Sequence, residues 1–172
     1  GMISVPPVAP VLVTPENETT ETKGTPTFTW ESVSNGDTYQ IQVDDNEDFS
    51  SPEFDDTAVT TSRTPEIALA NDIYYWRVRA NNIYDVSGTW SDTRTITISI
   101  PPAAPTLLLP ADTSTDLTGT PIFSWNSIAN GVTYQIQMDD NNDFSSPEFD
   151  DTAATTSRTL ITVLANGDYY WR

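Results

Sequence analysis

DTYQIQVDDNEDFSSPEFDDTA, from Asp37 to Ala58, returns with few changes as VTYQIQMDDNNDFSSPEFDDTA, from Val132 to Ala153. The same step of 95 residues takes Trp30 to Trp125, Tyr39 to Tyr134, Arg63 to Arg158 and Trp76 to Trp171. About 70 positions align without a gap, so one domain-sized unit is repeated in tandem. The period is too long for most solenoid repeats and suits a small sandwich. Within the quoted stretch Tyr39-Gln40-Ile41-Gln42-Val43 alternates apolar and polar side chains, as a half-buried strand does, before an acidic turn.

Outward from that stretch the pattern stays all-β. Thr27-Phe28-Thr29-Trp30, Tyr74-Tyr75-Trp76-Arg77-Val78-Arg79-Ala80 and Thr95-Ile96-Thr97-Ile98 alternate in the same way. Asn35-Gly36, Asn71-Asp72 and Ser87-Gly88 punctuate them as turns, and no stretch repeats its apolar residues every 3.6 positions. The expected fold is two β-sandwiches in series. Residues 1–100 form the first module, 101–104 a Pro-rich linker and 105–172 the second module. The linker prolines favour an extended, semi-rigid spacer.

Composition removes several functions. Of 172 residues 37% are hydrophobic and 10% aromatic, enough for a core despite 13 prolines. Seven basic side chains against 25 acidic ones give a net charge of -18, which repels nucleic-acid phosphates and anionic lipid. Such acidity fits a secreted or cell-surface protein. There is no Cys and no His, hence no disulfide, no thiolate nucleophile, no Ser-His relay and no His or Cys ligands for zinc. No apolar run is long enough to span a membrane, and no signal peptide is present. Gly1-Met2 reads as a cloning remnant before a start residue, so the signal of an exported protein would lie outside this sequence.

These residues carry a resemblance. Phe28-x-Trp30, Tyr39-x-Ile41-x-Val43, then Leu69 leading into Tyr74-x-Trp76-x-Val78-x-Ala80, then Trp90-Ser91, resembles the fibronectin type III pattern, especially its bacterial version. The likeness covers the first repeat and most of the second. It implies an immunoglobulin-like sandwich with Trp30 in the core from strand B. It also implies Tyr74 at a tyrosine corner, and Trp76 and Val78 pointing inward from strand F. The loop from Leu69 to Tyr74 is one residue shorter than the usual spacing. On function the likeness says little.

The second repeat stops at Arg172, the counterpart of Arg77, within strand F and before strand G. Several core side chains are then missing, each contributing about 1.5–3 kcal/mol against a domain stability of about 5–15 kcal/mol. Two expectations follow: either another chain, such as a second copy, covers the edge left by strands C and F, or the remaining strands suffice.

The densest chemistry is acidic. Asp44-x-Asn46-x-Asp48 and Asp139-x-Asn141-x-Asp143 place oxygen ligands at alternate positions, as calcium loops do, though without the glycine and distant glutamate of an EF-hand. The competing reading is a solvated turn anchored by Phe49 and Phe144, with Asp and Asn there because they favour turns. Calcium is the one cofactor considered. Tyr75, Tyr170, Tyr84 and Trp90 are candidates for stacking on sugars. For Tyr75 and Trp90 the plainer expectation is a ring beside an arginine. Arg63 and Arg158 are expected to pair with carboxylates of their own module. Asn17-Glu18-Thr19 matches a glycosylation sequon.

Catalysis would have to rest on carboxylates alone, which needs two held apart across a cleft with one raised pKa. No phosphate loop or nucleophile elbow appears. The expected function is therefore a non-catalytic structural or adhesive spacer of a larger protein. The alternatives are an accessory carbohydrate-binding module of a polysaccharide-degrading enzyme and a calcium-stiffened adhesion array. The partner, protein or polysaccharide, is left open.

Overall fold

Period-2 alternation makes strands, and strands are the only regular elements of the computed structural model: all 172 residues are described, with no helix. They divide into Gly1–Ile100 and Pro101–Arg172. In the first unit β1 (Leu12–Thr14), β3 (Phe28–Trp30) and β6 (Ser62–Arg63) form one sheet in the order β1-β3-β6. The other sheet holds β2 (Thr19–Glu21), β4 (Thr38–Asp44), β5 (Phe54–Ala58), β7 (Asp72–Asn81) and β8 (Arg94–Ile98), ordered β2-β8-β7-β4-β5.

The long strand β7 organises the core. Tyr74, Trp76, Val78 and Ala80 are buried while the residues between them are half-buried. Register with β4 sets Ile41 opposite Val78 and Val43 opposite Trp76, so the alternations of both strands face inward together. Phe28 crosses from the opposing sheet to meet Trp76, ring centroids 4.9 Å apart at 57°, and Trp30 meets Tyr39 at 5.8 Å. Leu12, Leu69, Ile96 and Ile98 complete this core.

The second unit repeats the plan. One sheet is β9 (Leu107–Leu109), β10 (Ile122–Trp125) and β13 (Ser157–Thr159); the other is β11 (Tyr134–Asp139), β12 (Phe149–Ala153) and β14 (Tyr170–Trp171). Phe123, Trp125, Tyr134, Ile136, Met138, Ala153 and Leu160 make a smaller core, with Trp171 packed at its side. β11 lies between β12 and β14, but β14 pairs only with Met138 and Asp139, so Tyr134–Ile136 of β11 and the outer side of β14 together make the open edge expected from the sequence. Residues 114–116, the counterpart of β2, form no strand, because in the first unit β2 is a strand only through its pairing with β8.

The tyrosine corner forms despite the short loop. Tyr74 donates its hydroxyl to the Ala70 carbonyl at 3.0 Å, and Tyr169 donates to Ala165 at 3.1 Å. Burial first, then the charges of Glu53, Asp72 and Asp45, push the Tyr74 pKa up.

Candidate functional site

The acidic turn is built around one buried carboxylate. Asp44 ends β4 and has no solvent-exposed surface. Its Oδ1 accepts from the Asn46 backbone N–H at 2.8 Å and its Oδ2 from the Ser51 N–H at 2.9 Å, so it ties both ends of the turn. Burial pushes its pKa up, but the hydrogen bonds from Asn46 and Ser51 outweigh that and hold it below the ordinary value. Asn46 Nδ2 donates to Asp44 at 3.1 Å and to Asp45 at 2.6 Å. Glu53 closes the loop by accepting from Asp45 N–H at 2.9 Å. Asp48 lies further round, where its Oδ1 accepts from Ser50 N–H at 3.0 Å.

The carboxylates drawn together are thus Asp44, Asp45 and Glu53, with oxygens within 4.8 Å of one another, and their copies Asp139, Asp140 and Glu148. Asp45 and Glu53 join because β4 and β5 run antiparallel in a register that brings Val43 opposite Phe54. Sequence spacing alone pointed to Asp44, Asn46 and Asp48, and to Asp139, Asn141 and Asp143. In the second copy Asn141 donates to Asp139 and Asp140, Ser146 N–H to Asp139, and Ser145 N–H to Asp143. Glu148, then burial, pushes Asp140 up, the repulsion expected of crowded anions.

Phe49 turns this loop with φ +54°, and Phe144 does the same at +54°. A bulky residue rarely adopts that backbone, so its ring must be held. Phe49 is nearly buried, with the Arg77 guanidinium carbon 4.0 Å from its ring centroid; Phe144 has Arg172 at 4.2 Å. Both phenylalanines anchor the turn.

The outer face of the larger sheet is a closed polar network. Arg77 donates to Gln42 Oε1 at 3.0 and 2.8 Å, and Arg79 to Gln40 Oε1 at 2.8 Å. Both glutamines pass the bond on to Asp55, Gln40 Nε2 at 2.7 Å and Gln42 Nε2 at 2.9 Å. Trp90 reaches back over this row, its ring 4.2 Å from Arg77 and 4.6 Å from Arg79. The rings beside these arginines are therefore Trp90 and Phe49, not Tyr75. Burial and the neighbouring Arg79 pull the Arg77 pKa down. In the second unit Arg172, Gln137, Gln135 and Asp150 repeat the network.

The remaining singled-out residues are committed to the scaffold or stand alone. Arg63 pairs with Asp56 and Arg158 with Asp151, each within its own unit. Tyr84 and Tyr170 are the exposed rings, one in each unit. Asn17 accepts at its Oδ1 from Thr95 N–H at 2.8 Å.

That last bond belongs to a feature the sequence did not announce. β2 and β8 pair in parallel, Thr19 beside Ile96, Thr20 beside Thr97 and Glu21 beside Ile98. Glu18 N–H to Thr95 O and Ser99 N–H to Glu21 O, each 2.9 Å, extend the ladder at both ends. Arg94 donates to the carbonyls of Val13 and Pro15, both at 2.8 Å. The first and last parts of the unit are thereby bound side by side.

No family model matches the sequence, and no curated protein does. Among solved structures, the two-domain fibronectin type III segment of chicken tenascin aligns with TM-score 0.52 at 15% identity, covering 95% of this chain and 86% of that one. The FN1-FN3 domains of chicken CNTN1 align at 0.41 and 19% identity, covering 96% and 61%. The α-L-rhamnosidase of Dictyoglumus thermophilum aligns at 0.44 and 12% identity over 78% of this chain and 17% of the enzyme. This chain thus spans 61% of the CNTN1 segment and a small part of the rhamnosidase. No helix is long and apolar enough to cross a membrane. With two sandwiches, two tyrosine corners and the likeness to the tenascin pair, the fold of this chain is that of tandem fibronectin type III domains.

Proposed function

We propose that the chain is a non-catalytic structural and adhesive spacer of a larger secreted or cell-surface protein. The observation that carries this reading is the parallel pairing of β2 with β8. Tension applied through the two ends of the unit pulls these strands in opposite directions along their length. Their hydrogen bonds are then loaded together, in shear, instead of one after another as in an unzipping hairpin. Asn17 and Arg94 fasten the same patch from its sides. Stretching the first unit between its ends tests the reading: a spacer holds to a threshold and then yields at once.

The sugar-binding alternative calls for at least two coplanar exposed rings on one face. Tyr84 at 52% and Tyr170 at 48% exposure stand one to a unit, while Trp90 lies against Arg77 and Arg79. Catalysis finds little support, since the crowded carboxylates lie on exposed turns, apart from the buried Asp44 and Asp139 that order them.

A second reading, calcium stiffening, rests on the carboxylate oxygens of Asp44, Asp45 and Glu53 and of their copies. Asn46, Asp48, Asn141 and Asp143 would then order the loops rather than supply the closest oxygens. Self-association by strand addition along the open edge of β11 and β14 is the partner this account carries. Sedimentation velocity tests it, and a monomer at every concentration removes it.

A further inference from the structure

Ser4–Pro10 is not a loose lead-in to the first unit. Pro7 and Pro10 are buried, and the Val5 carbonyl accepts from two side-chain amides on separate loops, Asn35 Nδ2 at 2.6 Å and Asn82 Nδ2 at 3.0 Å. Asn82 Nδ2 also donates to Ser4 Oγ at 2.8 Å. Asn82 is 2% exposed, and its other end is spent on its own loop, where Oδ1 accepts from Tyr84 N–H at 2.9 Å and Val86 N–H at 3.1 Å. Both protons of a buried amide thus have partners only in the segment Ser4-Val5. Without it they are orphaned in a site water reaches poorly, which is costly. Gly88 completes the seat: a Cβ there would overlap the Pro7 carbonyl.

The seated sequence occurs twice. Ile3-Ser4-Val5-Pro6-Pro7-Val8-Ala9-Pro10 returns 95 positions on as Ile98-Ser99-Ile100-Pro101-Pro102-Ala103-Ala104-Pro105. Serine, the following β-branched residue and the proline pair are kept, and of these Ser4, Val5 and Pro7 make the contacts. Asn35 recurs as Asn130.

We propose that Asn35, Asn82 and Gly88 form a recognition seat for an extended Ser-(Val/Ile)-Pro-Pro peptide, filled in this chain by its own residues 4–7. The ligand is defined by its chemistry. A serine hydroxyl and the next carbonyl answer the two amides, and the proline pair holds the backbone extended while packing against the glycine.

The seat is emptied in the full chain by Ser4→Gly, Val5→Ser, Pro6→Gly and Pro7→Ser together. Hydrogen exchange at Tyr84 and Val86 is then expected to accelerate by about tenfold or more, since the Asn82 amide that fixes them is released. A synthetic peptide of residues 98–105 should bind the emptied chain saturably and restore protection at those amides. The same peptide with both prolines replaced by alanine should bind more weakly, and the unaltered chain should bind neither. If the emptied chain keeps native exchange at Tyr84 and Val86 and binds no peptide, the proposal is overturned. Should that variant fail to fold even with peptide, Gly88→Ala in the otherwise intact chain decides. Residues 3–10 must then become protease-sensitive while β4 and β7 stay protected, and unchanged resistance would overturn the seat.

Discussion

The Arg77 guanidinium carbon lies 4.2 Å from the Trp90 ring centroid, and the same cation is 4.0 Å from that of Phe49. One side chain thus ties the loop after β7 to the acidic turn after β4, and its fork also holds Gln42. Replacing Trp90 with alanine removes half-buried aromatic area and the cation–π contact, and should destabilise the first unit by about 1–3 kcal/mol. Arg77→Lys keeps the charge but loses the planar fork, for a loss of about 0.5–2 kcal/mol. Urea unfolding of each variant checks both, and an unchanged midpoint for Trp90→Ala would show that the stack contributes nothing.

Asp44 gives a pH signature. Its carboxylate is held below the ordinary aspartate value in the folded unit, so its stabilisation is fully present above the unfolded value and disappears as pH falls through the folded one. Asp44→Asn leaves the Ser51 or Asn46 donor facing an amide, and should cost about 2–3 kcal/mol at neutral pH. The gap between parent and variant should then close in acid. A gap that stays constant with pH would mean the charge is irrelevant. Asp140 carries the opposite sign: with its pKa raised, chiefly by Glu148, its charge costs stability near neutrality and that cost is relieved as pH falls through the raised value.

The corner tyrosines offer a matched pair. Tyr74→Phe and Tyr169→Phe each delete one hydroxyl donated to a carbonyl four residues back. Each should lower stability by about 0.5–1.5 kcal/mol, observed as a fall in the thermal midpoint of the unit concerned.

Much of this was legible in the residues and some was not. The alternation in Tyr39–Val43 and Tyr74–Ala80 announced strands because one face of each is buried, and it marked Trp30 and Trp76 as core. β2 could not be seen that way: Thr19, Thr20 and Glu21 have no apolar face, and only the backbone of β8 makes them a strand. The acidic cluster was half visible. Spacing suggested Asp48, whereas the β4–β5 register and the positive φ of Phe49 bring Glu53 to Asp45 instead. That Asp44 is buried is a tertiary fact, invisible in a run it shares with Asp45, Glu47 and Asp48. The seat for Ser4–Pro7 depends on Asn82, far along the chain, and no local pattern marks such a pair.

Calcium distinguishes the two readings of the acidic turns. Ion binding to the native state raises stability by mass action, so thermal unfolding in calcium and in chelator, at matched ionic strength, is the comparison. If the turns are only solvated, calcium shifts the midpoint no more than magnesium does. A calcium-specific rise of several degrees that disappears in Glu53→Gln and Glu148→Gln would establish the ion sites.

The spacer account is tested most directly by stretching the first unit between its ends in a single-molecule force measurement. The parallel β2–β8 patch predicts one abrupt event that releases roughly 330–360 Å of extended chain, less the folded length. Asn17→Ala and Arg94→Ala should lower its threshold force. Gradual lengthening at low force, with no step, would contradict the account.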